Sequence, residues 1–260
     1  GGFTIFAPSD SAFTYLPRSA IQSLQNNTEK LREVILFHVI PGVLGIDDLQ
    51  DNQLITTTSP RGRQLRVNVY NHGADEQAVV TLNGARVKRA DMLATNGVIH
   101  VIDHVLYPMA DLSIVDHLTT CDTFTGANVA VTGAGLAGVL GGSGPYTVFL
   151  PTTEAFAAID NATVSSFIQN ITMLQNVLLF HIVPGTYFSE GLRDGQWLPT
   201  LAGDSEVQLK VSSDGHTRRL SGVGHIARVL KSDIVATNGV IHVIDTVMRP
   251  SRETPICGHF

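Results

Sequence analysis

Three groupings of residues in this sequence have the types and spacing of known chemistry. Gly133, Gly135 and Gly138 fit the G-x-G-x-x-G spacing of a dinucleotide loop, with Val129-Ala130-Val131 before them and Asp160 about 20 residues further on. That fingerprint needs a full helix after the glycines, its N-terminus facing the pyrophosphate. Here Gly141-Gly142-Ser143-Gly144-Pro145 ends any helix after about one and a half turns, so a helix-to-helix turn at Ala134-Gly135-Leu136 is the better reading. His100 and His104, four apart, could bind a metal with His38 as a third ligand. On a strand, however, positions four apart share a face but stand roughly 13 Å from each other. Gly142-Ser143-Gly144 runs into Pro145, which breaks a G-x-S-x-G nucleophile elbow. Asp47, Asp48 and Asp51 miss the spacing of a calcium loop and read as a capped, solvated helix start. These residues predict no catalytic group, no metal and no cofactor.

The elements that position such residues follow from an internal repeat. Thr95-Asn96-Gly97-Val98-Ile99-His100-Val101-Ile102-Asp103 recurs unchanged at Thr237-Asn238-Gly239-Val240-Ile241-His242-Val243-Ile244-Asp245. Nine identical residues in a row, at about 1 chance in 20 per position, cannot be accidental. Two more blocks keep the order: Thr4 to Phe13 matches Thr147 to Phe156, and Phe37-His38-Val39-Ile40-Pro41-Gly42 matches Phe180-His181-Ile182-Val183-Pro184-Gly185. A period of about 142 residues is far beyond that of a stacked solenoid and means a duplicated domain. The second copy carries Thr246 where the first has His104, so duplication does not preserve the histidine pair. It also has a segment, Asp111 to Leu140, that would supply helices over its core and has no counterpart before Thr4 in this chain.

Within each copy, Leu31, Val34, Ile35, Leu36 and Val39, and likewise Met173, Val177, Leu178, Phe180 and Ile182, recur at helical spacing up to Pro-Gly. Pro8-Ser9-Asp10 and Pro151-Thr152-Thr153 predict a strand entering a short helix. Residues 65–70, 78–82 and 85–88, then 207–211, 218–220 and 226–230, alternate as strands. Turn signals separate them at Asn71-His72-Gly73, Asn83-Gly84 and Asp214-Gly215. Helices first and strands later predict an α+β fold.

The T-[IV]-F-x-P-x-x-x-A-F block, the His-x-x-Pro-Gly block and the terminal Thr-Asn-Gly-Val-Ile-His-Val-Ile-Asp resemble the conserved boxes of the fasciclin (FAS1) domain, twice and in order. The resemblance implies two FAS1 domains, each a β-wedge sheet packed with several α-helices. Domain 1 would span 1–108, with its N-terminal helices absent from this chain, domain 2 would span 109–250, and 251–260 would be a tail. It further implies a secreted, extracellular-matrix or cell-surface protein that mediates adhesion without catalysis. Partners would be a cell-surface receptor, a matrix protein or a glycan, with peripheral or lipid-anchored membrane association through segments outside this chain. Where the family has Tyr-His, this chain has Phe37-His38 and Phe180-His181. In this family an Asp followed by a large aliphatic residue just before Thr-Asn-Gly is linked to integrin recognition; the matching residues are Asp91-Met92-Leu93 and Asp233-Ile234-Val235. The plainer alternative is that Asp caps a turn and Met92 or Ile234 is core. On the adhesive reading, Asp91→Ala with Asp233→Ala weakens attachment and leaves the melting temperature unchanged. Some relatives carry apolar small molecules such as carotenoids, so a carrier of a carotenoid-like or lipid-like ligand is the alternative function.

Four histidines, His38, His100, His181 and His242, fit a structural role in which buried hydrogen bonds tie the helix end to the terminal strand. Glycosylation sequons stand at Asn26, Asn161 and Asn170, where chance alone supplies roughly two. Cys121 and Cys257 flank the second copy and could staple its ends. Arg89-Ala90-Asp91 and Arg193-Asp194-Gly195 are not RGD loops, and Lys88-Arg89 and Arg218-Arg219 are too short for a polyanion site. In a chain of 260 residues the net charge of −6 argues against a nucleic-acid partner, and 43% apolar residues suffice for two cores. The longest apolar stretch, Val129 to Leu140, is too short for a bilayer that needs roughly 20 residues.

Overall fold

The computed structural model describes residues 1–71, 78–108, 111–203, 206–211, 218–222 and 225–250. It divides into two compact units: Gly1–Ala110 with Phe188–Gly191, and Asp111–Tyr187 with Leu192–Phe260.

The first unit runs β1 (Phe3–Pro8), α1 (Arg18–Asn26), α2 (Thr28–Phe37), β2 (Val39–Pro41), β3 (Leu54–Thr56), β4 (Gln64–Tyr70), β5 (Val79–Leu82), β6 (Ala85–Ala94) and β7 (Gly97–Ile102). Its strands form one sheet in the order β2-β1-β7-β6-β5-β4-β3. Every neighbour is antiparallel except β1 with β7, which run parallel from Phe3↔Gly97 to Pro8↔Ile102. Alternation along β4 and β5 sends Leu65, Val67, Val80 and Leu82 into a core with Phe6 and Phe37. Asn83 and Gly84, with φ of 47° and 87°, make the tight hairpin turn that Asn-Gly predicts.

The second unit opens with three helices, α3 (Ile114–Thr120), α4 (Thr125–Gly133) and α5 (Ala137–Leu140). It continues through β8 (Tyr146–Pro151), α6 (Thr153–Ala157), α7 (Asn161–Gln169), α8 (Ile171–Leu179), β9 (Ile182–Pro184), β10 (Trp197–Pro199), β11 (Glu206–Val211), β12 (Arg218–Gly222), β13 (His225–Ala236) and β14 (Gly239–Ile244). Sheet order β10-β11-β12-β13-β14-β8-β9 repeats the first unit, including the parallel pair β8 and β14. The α+β class expected from the order of elements, and the two sheets packed with helices that the resemblance implies, are what the chain forms.

Two expectations change. The periodic runs ending in Val39 and Ile182 are not single helices to Pro-Gly: α2 stops at Phe37 and α8 at Leu179. His38 N–H closes the last turn on the Ile35 carbonyl, and Val39 then pairs with Ile5 as strand, since hydrogen bonds to β1 replace those of a further turn. The strands predicted to end at Lys88 and Leu230 run on to Ala94 and Ala236, each through two register shifts that alternation alone conceals. The turns at His72-Gly73 and Asp214-Gly215 lie outside the described residues, as do Cys257 and the tail.

Candidate functional site

The second register shift of each strand lies at the Asp-Met and Asp-Ile positions. Arg89 faces Val101 and Met92 faces Ile99, so β6 has one residue more than β7 between these pairs. In the second unit Lys231 faces Val243 and Ile234 faces Ile241. The extra residue bulges, and the chain relieves it at Asp91 (φ 55°) and Asp233 (φ 64°), in the left-handed region that Asp tolerates better than most residues.

A histidine on the neighbouring strand holds each bulge. The Asp91 N–H donates to His100 Nδ1 at 3.2 Å, and the Asp233 N–H to His242 Nδ1 at 3.4 Å. The opposite ring nitrogen donates to a carbonyl, Leu44 O or Tyr187 O, each at 2.8 Å, which sets the tautomer because a carbonyl only accepts. That carbonyl's residue is itself tied down. Leu44 N–H donates to Thr4 Oγ1 at 2.9 Å, whose hydroxyl donates to Gly42 O, and Tyr187 repeats the arrangement with Thr147 and Gly185. Both imidazoles are buried and stack on Phe6 or Phe149 at 5.4 Å. The Asp91 carboxylate accepts from Ile46 N–H at 2.9 Å and is otherwise open to solvent. Met92 is half-buried, while Leu93 beside it is 87% exposed. Asp233 and Ile234 are half-buried, with Ile234 against the core of its unit.

His38 and His181 have a different duty. Each Nδ1–H donates to the carbonyl four residues back, Val34 or Val177, at 2.7 Å. Each Nε2 accepts from the chain just past the terminal strand, Leu106 N–H at 3.0 Å or Met248 N–H at 2.9 Å. Burial lowers both pKa values despite the opposing backbone hydrogen bond, that of His181 to about 4, so both rings are neutral at pH 7. Of the four histidines expected to tie the helix end to the last strand, only these two hold the helix end; His100 and His242 fasten the bulge instead.

The other sequence candidates find quieter places. Helix α5 is four residues long, too short to present an N-terminus to a pyrophosphate after Gly133, Gly135 and Gly138. Asp48 Oδ2 accepts from Gly45 N–H, and Asp51 Oδ1 from Val69 N–H. His104 lies beyond the end of β7, bonded to Asp103 and stacked on Tyr15. Among the described residues no three His, Cys, Asp or Glu side chains converge. Lys88 pairs with Asp103 at 3.6 Å, so part of the Lys88-Arg89 run is already matched. Asn26, Asn161 and Asn170 are exposed at helix ends. The helix caps align, Asn27 Oδ1 accepting from Lys30 N–H and Asn170 Oδ1 from Met173 N–H, and the first sequon stands one residue before its cap. Cys121 is half-buried at the end of α3.

Sequence reasoning missed the bulge and the use of Asn238. This side chain accepts from Ile114 N–H at 3.0 Å and donates to Leu140 O and Gly142 O at 2.7 and 2.8 Å, clasping both ends of the helices that cover its sheet. The signal available was the unchanged Thr-Asn-Gly, whose Asn has more to do than form a turn.

The Fasciclin domain family matches residues 1–108 and again residues 122–250. Transforming growth factor-beta-induced protein ig-h3 of Sus scrofa is 33% identical over 96% of this chain and 35% of its own length. Periostin of Homo sapiens is 32% identical over 96% of this chain and 28% of its own length. The chain thus spans about a third of these curated relatives. A FAS1 domain pair from the insect cell adhesion molecule fasciclin I superposes with a TM-score of 0.47 at 22% identity, covering 95% of this chain and 88% of that one.

Proposed function

The chain belongs to the fasciclin domain family, in two tandem copies, and on that premise we propose that it is a non-catalytic adhesion protein of the extracellular matrix or cell surface. Its partners are a receptor, a matrix protein or a glycan, met at the bulges that carry Asp91-Met92 and Asp233-Ile234. The observation that supports this most is the duplication of the bulge. In both units a left-handed Asp is held in place by a buried histidine and followed by a large apolar residue. In the first unit the solvent-facing Asp91 carboxylate, on a rigid support beside the exposed Leu93, can complete a receptor's cation site with an apolar contact next to it. The sequons at Asn26, Asn161 and Asn170 fit the same compartment, and among the described residues no helix is long and apolar enough to cross a membrane.

The test is a binding screen of the immobilised intact chain against cell-surface receptors, matrix proteins and glycans. Saturable binding that falls when Asp91→Asn and Asp233→Asn are combined is expected. Binding untouched by both changes removes the bulges from the reading, and no binding in any class overturns adhesion itself.

A further inference from the structure

Helix α7 turns Phe167 into a core with Ala155 and Val177 and leaves other apolar residues on its outer side. Ile168 is 79% exposed, and Val164 and Ile171 are exposed beside it. A helix flank that meets only water is ordinarily polar, so an apolar ridge there marks a surface that something covers. An Asn-x-Thr sequon stands at each end of this ridge, Asn161-Ala162-Thr163 and Asn170-Ile171-Thr172. Asn161, Val164 and Ile168 follow at i, i+3 and i+7, which places them on one face of α7. Asn161 and Ile168 are about 10 Å apart along the helix axis, and the Asn170 backbone is at most about 7 Å from that of Ile168. Both asparagines are exposed, and among the described residues neither Nδ2 donates to another group. The helix caps leave both amides available. Asp160, not Asn161, caps α7, its Oδ1 accepting from Thr163 N–H at 2.8 Å. Asn170 caps α8 through Oδ1 alone, accepting from Met173 N–H at 3.1 Å, so a substituent on Nδ2 leaves the cap in place.

We propose that Asn161 and Asn170 both carry N-linked oligosaccharides, and that these sugars cover the ridge of Val164, Ile168 and Ile171. In the transfer, Nδ2 attacks the anomeric carbon of a lipid-linked oligosaccharyl diphosphate. The C–N bond forms, the C–O bond to the diphosphate breaks, one amide proton passes to a base of the transferase, and nothing is oxidised or reduced. The product amide stays neutral and keeps its carbonyl oxygen as an acceptor, which is what Asn170 needs to go on capping α8. Chance supplies about two sequons in a chain of this composition, so their number argues nothing. Their placement at both ends of one apolar ridge does. Sugars rooted there set their C–H faces on the aliphatic side chains and their hydroxyls toward water. They also keep out a second copy or a membrane, either of which must come within van der Waals distance of Ile168. The inference takes from the adhesion reading only that the chain passes through a secretory pathway, and it uses neither Asp91 nor Asp233.

The intact chain is secreted from cultured animal cells behind a cleavable leader. Peptide N-glycosidase in heavy-oxygen water then converts each occupied asparagine to a labelled aspartate, read by mass spectrometry. Asn161 and Asn170 should both be occupied in most molecules; either one bare in the folded, secreted chain overturns the proposal. The cover is tested by combining Thr163→Ala with Thr172→Ala, which abolishes both sequons and keeps both asparagines. This variant should bind at least about twofold more of an apolar fluorescent dye than the parent, and adding Ile168→Asp should reverse the gain. Melting curves establish that each variant folds. If the double variant does not, the parent stripped of sugar by the same enzyme without denaturation takes its place. No gain in dye binding, or a gain that Ile168→Asp leaves unchanged, overturns the cover. Cell attachment through Asp91 and Asp233 is measured on the same secreted chain and can fail while both asparagines carry sugar, so the two readings fall separately.

Discussion

The main-chain N–H of Asp91 donates to the buried ring of His100 across the β6 bulge, leaving the Asp91 carboxylate to accept from Ile46 N–H and face solvent. This changes what a mutation there tests. Asp91→Ala removes the hydrogen bond to Ile46 and puts alanine at a φ of 55°, together costing about 1 to 3 kcal/mol. The melting temperature will fall, contrary to the expectation from sequence that it stays constant. Asp91→Asn keeps an acceptor and a residue that tolerates left-handed backbone, and removes only the charge. Thermal melting of the two variants should show a drop for alanine and little change for asparagine.

Acid should loosen the second unit before carboxylates dominate. Unfolded, the His181 imidazole takes a proton near pH 6.5; folded, it resists until about 4, because burial disfavours the charge. Between those values the unfolded chain holds the extra proton, so stability is complete above pH 6.5 and declines as pH falls toward 4. The full loss is roughly 3 kcal/mol for His181, and His38, also lowered, acts in the same direction on the first unit. Denaturant melts from pH 7 to 4 should show this slope, and His181→Gln should flatten it while lowering stability at pH 7.

Identical asparagines should behave differently. Asn238→Ala leaves the buried Ile114 N–H and Leu140 carbonyl without their partner and should cost about 3 kcal/mol or more. Asn96→Ala, at an exposed position, should lie within about 0.5 kcal/mol of the parent. Equal losses in chemical denaturation would mean that Asn96 is already engaged in the free chain.

Gly239 and Gly97 follow those asparagines because the parallel strand passes directly over them. A Cβ at Gly239 would run into the Tyr146 carbonyl, and at Gly97 into the Phe3 carbonyl. Backbone cannot yield as a side-chain tip can, so Gly239→Ala should destabilise by about 3 kcal/mol or more. A melting temperature within a degree or two of the parent would refute this parallel pairing.

Much of this was legible in the chain because duplication acts as a control. The identical Thr-Asn-Gly-Val-Ile-His-Val-Ile-Asp stretches take the same parallel register in both units, Gly97 against Phe3 and Gly239 against Tyr146. What stayed hidden depends on partners distant in sequence. The helix appeared to include Val39 because an apolar residue suits both a helix face and a strand; only pairing with Ile5 decides. The bulge at Asp91 is set by His100 across the sheet, and no local pattern marks a residue that must turn left-handed. His38 and His100 look alike in sequence, yet one closes a helix end and the other holds a bulge.

The central claim is tested most directly by counting cells that attach to a surface coated with the intact folded chain, beside the combined Asp91→Asn and Asp233→Asn variant and heat-unfolded protein. Adhesion through the bulges predicts attachment to the folded chain, a marked loss with the double variant at unchanged melting temperature, and none to the unfolded protein. Attachment to the folded chain no greater than to the unfolded one would contradict it.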